Sequence, residues 1–314
     1  MLPFLIVAGP TASGKSTLAL AIAEEFGGTI INADSMQVYR DLAVLTARPG
    51  PAEEARAPHR LYGVIDAAES CSAGRWRELA LGEIAAAQAA GRLPIVVGGT
   101  GLYLEALVHG IAAVPPVPPD VRAASRALHA EIGGIAFHAR LAERDPAAAA
   151  RLLPSDTQRV VRAYEVVTAT GRPLGAWQRE AVEPSCASAA AAVVLLPPRD
   201  VLYAACDARV LAMVERGAVD EVRALLARGL SPALPAMKAV GMRELGAWIA
   251  GQTDRAMALA ATQQETRRYA KRQYTWLRHR MTDLRRLTVG AQFSESFLPE
   301  IFAFIRRELL TGKI

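Results

Sequence analysis

The sequence predicts a mixed α/β fold: a parallel sheet carrying a phosphate loop, with an all-helical domain inserted and a helical C-terminal region. Three observations predict it. The stretch GPTASGKS, residues 9–16, matches G-x-x-x-x-G-K-[ST] and lies between an apolar run and a helical pattern. Short apolar runs then alternate with helical stretches through the first third of the chain. Finally, AAVPPVPPD breaks that rhythm at about residue 114 and is followed by helical stretches without strands.

Residues 3–8 are too short for a membrane span, lack a basic leader, and run straight into the loop, so they read as a buried strand. A helix follows over 15–26. GGTIINADS gives a second strand, Thr29 to Ala33. A helical pattern from Ala73 to Ala90 stops at Gly91, LPIVVGG is a third buried strand, and TGLYLEALVHG opens another helix. Beyond the prolines, helices are expected over Val121 to Gly133, Ile135 to Glu143 and Ser155 to Thr170, the last capped by Ser155. AAVVLLPP reads as a strand returning to the sheet near 191–196. The expected division is a core of 1–113 and 196–314 around a helical insertion of 114–195, with nearly everything after Arg199 helical.

At 314 residues, 52% hydrophobic and 21% charged, the chain has the composition of a soluble globular enzyme and excludes extensive disorder. Its three cysteines have neither CxxC nor zinc spacing, which points to a reducing cytoplasm. The net charge of +5 matters only where it is concentrated. That place is TRRYAKRQYTWLRHRMTDLRR. Here Arg267, Arg268, Lys271, Arg272, Arg278, Arg280, Arg285 and Arg286 interleave with Tyr269, Tyr274 and Trp276. Such a segment suits a polyanion whose bases can stack; the plainer reading is an amphipathic helix with Tyr274, Trp276 and Leu277 in the core.

The loop residues Gly9, Pro10, Thr11, Ala12, Ser13, Gly14, Lys15 and Ser16 present backbone N–H groups and a helix N-terminus to an anion. Lys15 reaches the outer phosphates and the Ser16 hydroxyl ligates Mg²⁺. This ATP-binding type of loop normally accompanies an apolar strand ending in a metal-binding acid. Here PIVVGGTG ends without a carboxylate, and the acid stands at Asp34, at the end of IINADS. A carboxylate there is a metal ligand or a general base; the plainer reading is a cap on the next helix. Arg159 and Arg162, one turn apart, and Lys238 and Arg243, around Gly241, read alone as surface residues.

In this order, GPTASGKS, DSMQVYRDL, LPIVVGGTGLYLEAL, SDTQRVVRAYEV, MKAVGMREL and AKRQYTWLR resemble the tRNA dimethylallyltransferase (tRNA isopentenyltransferase) family over nearly the whole chain. Of these, GPTASGKS is generic, whereas DSMQVY and GGTGLYL together are distinctive. The resemblance implies transfer of a dimethylallyl group from dimethylallyl diphosphate to N6 of adenosine 37 in the anticodon stem-loop of tRNAs reading codons that begin with U. The products are N6-(dimethylallyl)adenosine and diphosphate. It implies that the phosphate loop holds the leaving group, that Asp34 is the general base, that Thr100 lines the reaction channel and that Arg209 stands near the diphosphate.

The resemblance also assigns tRNA contacts. Asp34, Ser35, Met36, Gln37 and Thr100 would meet the target base and its neighbours. Arg122, Gln158, Arg159, Val160, Val161 and Arg162 belong to the helical insertion, which would clamp the anticodon stem. Lys238, Gly241 and Arg243, with Lys271, Arg272, Trp276 and Arg278, complete the set. Leu45 and Arg48 depart from the family's common Gly and Lys, and APHRLYGVID is a looser form of its Pro-His-His-Leu-Ile-Asp, so the loop geometry there is open. No zinc-finger pattern follows residue 290, which points to the bacterial type. A cytoplasmic monomer without a membrane partner is expected. Two rival enzymes are an adenylate isopentenyltransferase, which has no use for the tRNA blocks, and a small-molecule or nucleotide kinase, which leaves the basic segment unexplained. A non-catalytic RNA-binding protein would not need Asp34 and Thr100 beside an intact loop.

Overall fold

The computed structural model describes residues 3–179 and 186–310. In chain order the first unit is built from β1 (Phe4–Ala8), α1 (Lys15–Phe26), β2 (Gly28–Asn32), α2 (Pro51–Glu54), β3 (His59–Arg60), α3 (Ala73–Ala89), β4 (Leu93–Gly98) and α4 (Gly101–His109). It resumes with β5 (Ala190–Leu195) after a second unit. That second unit contains α5 (Pro119–Arg144), α6 (Pro146–Ala149), α7 (Thr157–Thr170) and α8 (Leu174–Arg179). The first unit closes with α9 (Arg199–Glu215), α10 (Ala218–Ala227), α11 (Met242–Ile249), α12 (Arg255–His279), β6 (Arg285–Val289) and α13 (Leu298–Ile305).

The sheet order is β3-β2-β4-β1-β5-β6 and every pairing is parallel. A central parallel strand is covered on both faces, so it must be apolar throughout rather than alternating. FLIVA and AAAVVL satisfy this, and every residue of β1 and β5 is buried. Their side chains divide by pleat. Phe4, Ile6, Ala190, Ala192 and Val194 join the core beneath α3, α4, α10 and α11. Leu5, Val7, Ala191, Val193 and Leu195 pack with Leu18 and Ile22 of α1 and Ile301 and Phe304 of α13. The alanine run before Val193 is therefore structural: small side chains on a strand enclosed between β1 and β6.

Two expectations change. The compact unit that departs from the core starts at His109 and, among the described residues, runs to Arg179, whereas β5 is a strand of the sheet. An insertion reaching residue 195 would remove the strand that pairs with β1. The region after Arg199 is also not uniformly helical, because β6 extends the sheet beside β5. Arg285 and Arg286 consequently lie on an edge strand. The Arg285 guanidinium donates to the Ser188 carbonyl (3.0 Å) and also to that of Glu308, and Arg286 donates to Leu277 O (3.0 Å). They fasten the C-terminal region rather than extend a basic helix.

In the second unit α5 is interrupted at Gly133 (φ 76°), the boundary expected between two helices. The α7 helix is capped by Asp156, whose carboxylate accepts from Arg159 N, and not by Ser155. Phe137, Leu141, Val160, Val161 and Tyr164 form this unit's core.

Candidate active site

The phosphate loop follows β1 and leads into α1, whose N-cap is Gly14 in the left-handed region (φ 87°) with no side-chain cap. The first amides of α1 are thus left for an anion. Gly14 also cannot carry a side chain, since a Cβ would lie 2.7 Å from Phe293 Cβ. The C-terminal region holds the loop from two sides. Gln273 of α12 accepts from Thr11 N–H at 2.8 Å, and Gln292 Nε2 donates to Ala12 O at 2.9 Å.

A cleft of about 210 Å³ opens beside the loop, lined among others by Thr11, Asp34, Leu45, Arg209, Lys238 and Tyr269. Beside it stand the charges suited to a diphosphate. Burial lowers the Lys15 ammonium from its ordinary value to about 8, with Asp34 opposing and Arg209 reinforcing that shift. Burial also lowers the Arg209 guanidinium, Asp34 again opposing, and Arg209 donates to Thr46 O at 2.6 Å. Both cations are therefore poorly solvated until an anion arrives, and an anion there gains from strengthened electrostatics.

Asp34 lines the same cleft. Its Oδ1 accepts from Met36 N–H at 2.8 Å, and Asn32 fixes the backbone on either side by accepting from Asp34 N (2.8 Å) and donating to Asp34 O (3.0 Å). The carboxylate closes a turn, and no helix begins there; a helix cap is excluded. Thr100, at the head of α4, accepts from Ser35 N–H at 3.0 Å. Burial pushes the Tyr269 phenol up, the Asp34 charge adds to this, and the Thr100 hydroxyl opposes it. Ser35, Thr100 and Tyr269 are joined by hydrogen bonds, and the Asp34 charge lies beside the Tyr269 phenol.

The loop over 43–48 forms a further wall and is anchored from α10. Glu221 accepts from the backbone N–H groups of Ala43 (2.7 Å), Val44 (2.8 Å) and Leu45 (2.8 Å). Gln37 Nε2 donates to Thr46 O (2.9 Å) and Ala47 O (3.2 Å), so Gln37 shapes this loop. Leu45 is buried and packs against Gly241, where a Cβ would lie 2.9 Å from Leu45 Cδ1. Arg48 donates to the carbonyls of Tyr39 and Arg40 at 3.4 Å.

The remaining expected residues divide by exposure. Lys238, Arg243, Lys271, Arg272 and Arg278 are exposed on the first unit, and Arg122, Gln158 and Arg159 are exposed on the second. Arg162 is half-buried, 3.7 Å from the buried Glu165. Val160 and Val161 do not fit an RNA contact: at 0% and 9% exposure they are core residues of α7. Gly241 (φ 96°) sets the turn into α11, its N–H donating to Glu244 at 3.2 Å, and is itself buried. Trp276 is half-buried against the head of α4, and Arg267 and Arg268 are paired with Asp207 and Glu265. Sequence reading placed Gln273 only within the block AKRQYTWLR assigned to tRNA and missed its hold on the loop, and it missed Gln292 and Glu221 altogether, because each acts on a backbone group far away in the chain.

The family model described as IPP transferase matches residues 37–280. The chain belongs to the IPP transferase family. It is 58% identical over 291 residues to the tRNA dimethylallyltransferase of Rhodospirillum centenum (strain ATCC 51521 / SW), covering 92% of each chain. The crystal structure of the full-length tRNA isopentenylpyrophosphate transferase from Bacillus halodurans matches with a TM-score of 0.71 and 32% identity, covering 98% of this chain and 97% of that one. A eukaryotic dimethylallyltransferase acting on tRNA shares the fold, with a TM-score of 0.84 at 24% identity over 100% of this chain and 81% of that one. As an IPP transferase the chain has no need of the acid that ends a hydrolase's metal-binding strand, which accounts for the GGTG turn after β4.

Proposed function

We propose that the protein transfers the dimethylallyl group of dimethylallyl diphosphate to N6 of adenosine 37 in tRNA. The observation that carries the reading is one cleft lined by Asp34, Ser35, Arg209 and Thr11 of the phosphate loop, with Thr100 hydrogen-bonded to Ser35. The N6 amine attacks C1 of the allyl group, the C1–O bond breaks, and diphosphate leaves with the bonding pair. Lys15, Arg209 and the free loop amides receive the charge that develops on the departing oxygen. The N6 proton passes to Asp34, whose turn holds one oxygen on Met36 N–H.

Mg²⁺ fits the donor set. The Ser16 hydroxyl is exposed at the first turn of α1, and no group of three His, Cys, Asp or Glu able to hold a metal occurs among the described residues. The Ser16 hydroxyl would hold such an ion together with the bound diphosphate, and the ion would neutralise charge on the leaving group. The target base must leave the anticodon-loop stack to reach Asp34. Lys238, Arg243, Lys271, Arg272 and Arg278, and on the second unit Arg122, Gln158 and Arg159, supply exposed groups for the flanking phosphates. A tRNA substrate implies work in the cytoplasm.

The test is to incubate the protein with labelled dimethylallyl diphosphate and either tRNA or AMP. Label in tRNA alone supports the reading. Label in AMP would favour an adenylate isopentenyltransferase, and ATP turnover with neither acceptor labelled would favour a kinase.

A further inference from the structure

Gly99, in the turn after β4, and Gly101, the first residue of α4, both face α12. A Cβ on Gly99 would fall 2.7 Å from the Gly9 carbonyl oxygen and inside contact distance of Gln273 Nε2. A Cβ on Gly101 would fall 2.6 Å from Trp276 Cε2. The glycines open a slot into which α12 inserts one polar and one aromatic side chain. Trp276 is amphipathic and at home there. Gln273 is not: its side chain is enclosed, with 5% of the residue exposed, and its Nε2 has no protein acceptor among the described residues.

An amide half-satisfied in a closed space costs stability, and an apolar side chain of the same length would avoid that cost. What Gln273 gains is the single contact at its other end, the 2.8 Å hydrogen bond from Thr11 N–H. Thr11 is the third residue of the phosphate loop. Its N–H is engaged with α12, so the anion must be taken by the amides further along and by Lys15.

We infer that Gln273 is a positioning residue for the phosphate loop: from the buried face of α12 it holds Thr11 N–H and so fixes the backbone that presents the remaining amides and Lys15 to the diphosphate. The inference rests on the proposed role of the loop as the diphosphate site. Gln273 itself touches no reacting atom.

The test uses the full chain with Gln273→Met, which keeps length and volume but lacks an acceptor, and Gln273→Glu, which keeps an oxygen for Thr11 N–H. Amide hydrogen exchange at Thr11, calorimetric affinity for inorganic pyrophosphate with Mg²⁺, and steady-state prenylation of tRNA are read for each. Gln273→Met is expected to lose protection at Thr11, to bind pyrophosphate about tenfold more weakly, and to raise KM for dimethylallyl diphosphate by a similar factor. Its KM for tRNA and its melting temperature should stay near those of the parent. Gln273→Glu is expected to retain Thr11 protection, which keeps the proposal testable should the Met variant fold poorly; loss of that protection would count against it. Unchanged pyrophosphate affinity in Gln273→Met, or a parallel rise in both KM values with a loss of stability, would overturn the assignment. Pyrophosphate binding by the parent without prenylation of tRNA would instead count against the proposed reaction alone.

Discussion

Raising the pH should weaken diphosphate binding through Lys15. Burial holds its ammonium near 8 instead of the ordinary 10.5, so above pH 8 the free site increasingly contains a neutral amine. A diphosphate restores the reason to be charged, so binding takes up a proton and affinity falls as the pH climbs from the free pKa toward the bound one. If the anion returns Lys15 to its ordinary value, the loss reaches about 30-fold at pH 9.5. Its ceiling, from a gap of roughly 2.5 pH units at about 1.4 kcal/mol each, is about 3.4 kcal/mol. Calorimetry with pyrophosphate and Mg²⁺ between pH 7 and 9.5, in buffers of differing ionisation enthalpy, reads both the affinity and the proton uptake. Lys15→Arg is the control, since a guanidinium stays charged throughout and leaves only the ligand's own titration. A flat profile in the parent, or the same inflection in Lys15→Arg, would refute the reasoning.

Three further outcomes are expected. Asp34→Asn keeps an acceptor for Met36 N–H but cannot take a proton, so single-turnover transfer should fall at least about 100-fold while tRNA affinity stays within about threefold; comparable transfer would remove Asp34 from the base role. Glu221→Gln replaces part of a carboxylate that accepts three backbone N–H groups, costing about 2 kcal/mol and several degrees of melting temperature, with KM for the allylic donor raised. Gly101→Ala forces a methyl group against the Trp276 ring and should cost about 1–3 kcal/mol in thermal denaturation, a loss that the Trp276→Leu background largely relieves; additive losses in the double variant would exclude that contact.

Legibility in the sequence followed the range of the interactions. The strands β1, β4 and β5 were readable because a strand buried on both faces is apolar at every position. The phosphate loop was readable because its function is local. The β6 strand was not, because RRLTV sits on an edge, carries two arginines and completes a basic run that reads as helix. Val160 and Val161 sat inside a block whose arginines invite an RNA reading; only the packing of α7 separates the exposed residues from the buried ones. Asp34 could be singled out as an acid at a strand end, but whether it capped a helix depended on what followed it. The supports of the site, Gln273, Gln292 and Glu221, lie 262, 280 and about 177 residues from the groups they hold. No local pattern encodes such a separation.

The helix α12 runs 25 residues, about 37 Å at 1.5 Å per residue. Thr266 and Tyr269 line the cleft, Gln273 meets Thr11, and Trp276 fills the Gly101 slot, all from this one rod. Each placement depends on the same angular phase. Adding or removing one residue between Thr262 and Thr266 would turn everything downstream by about 100° and carry all of the later side chains off their targets at once. The outward positions Lys271, Arg272 and Arg278 can exchange charge or size without that consequence. This segment can therefore drift in composition but not in length, and length variation among related chains should collect in the turns on either side of it.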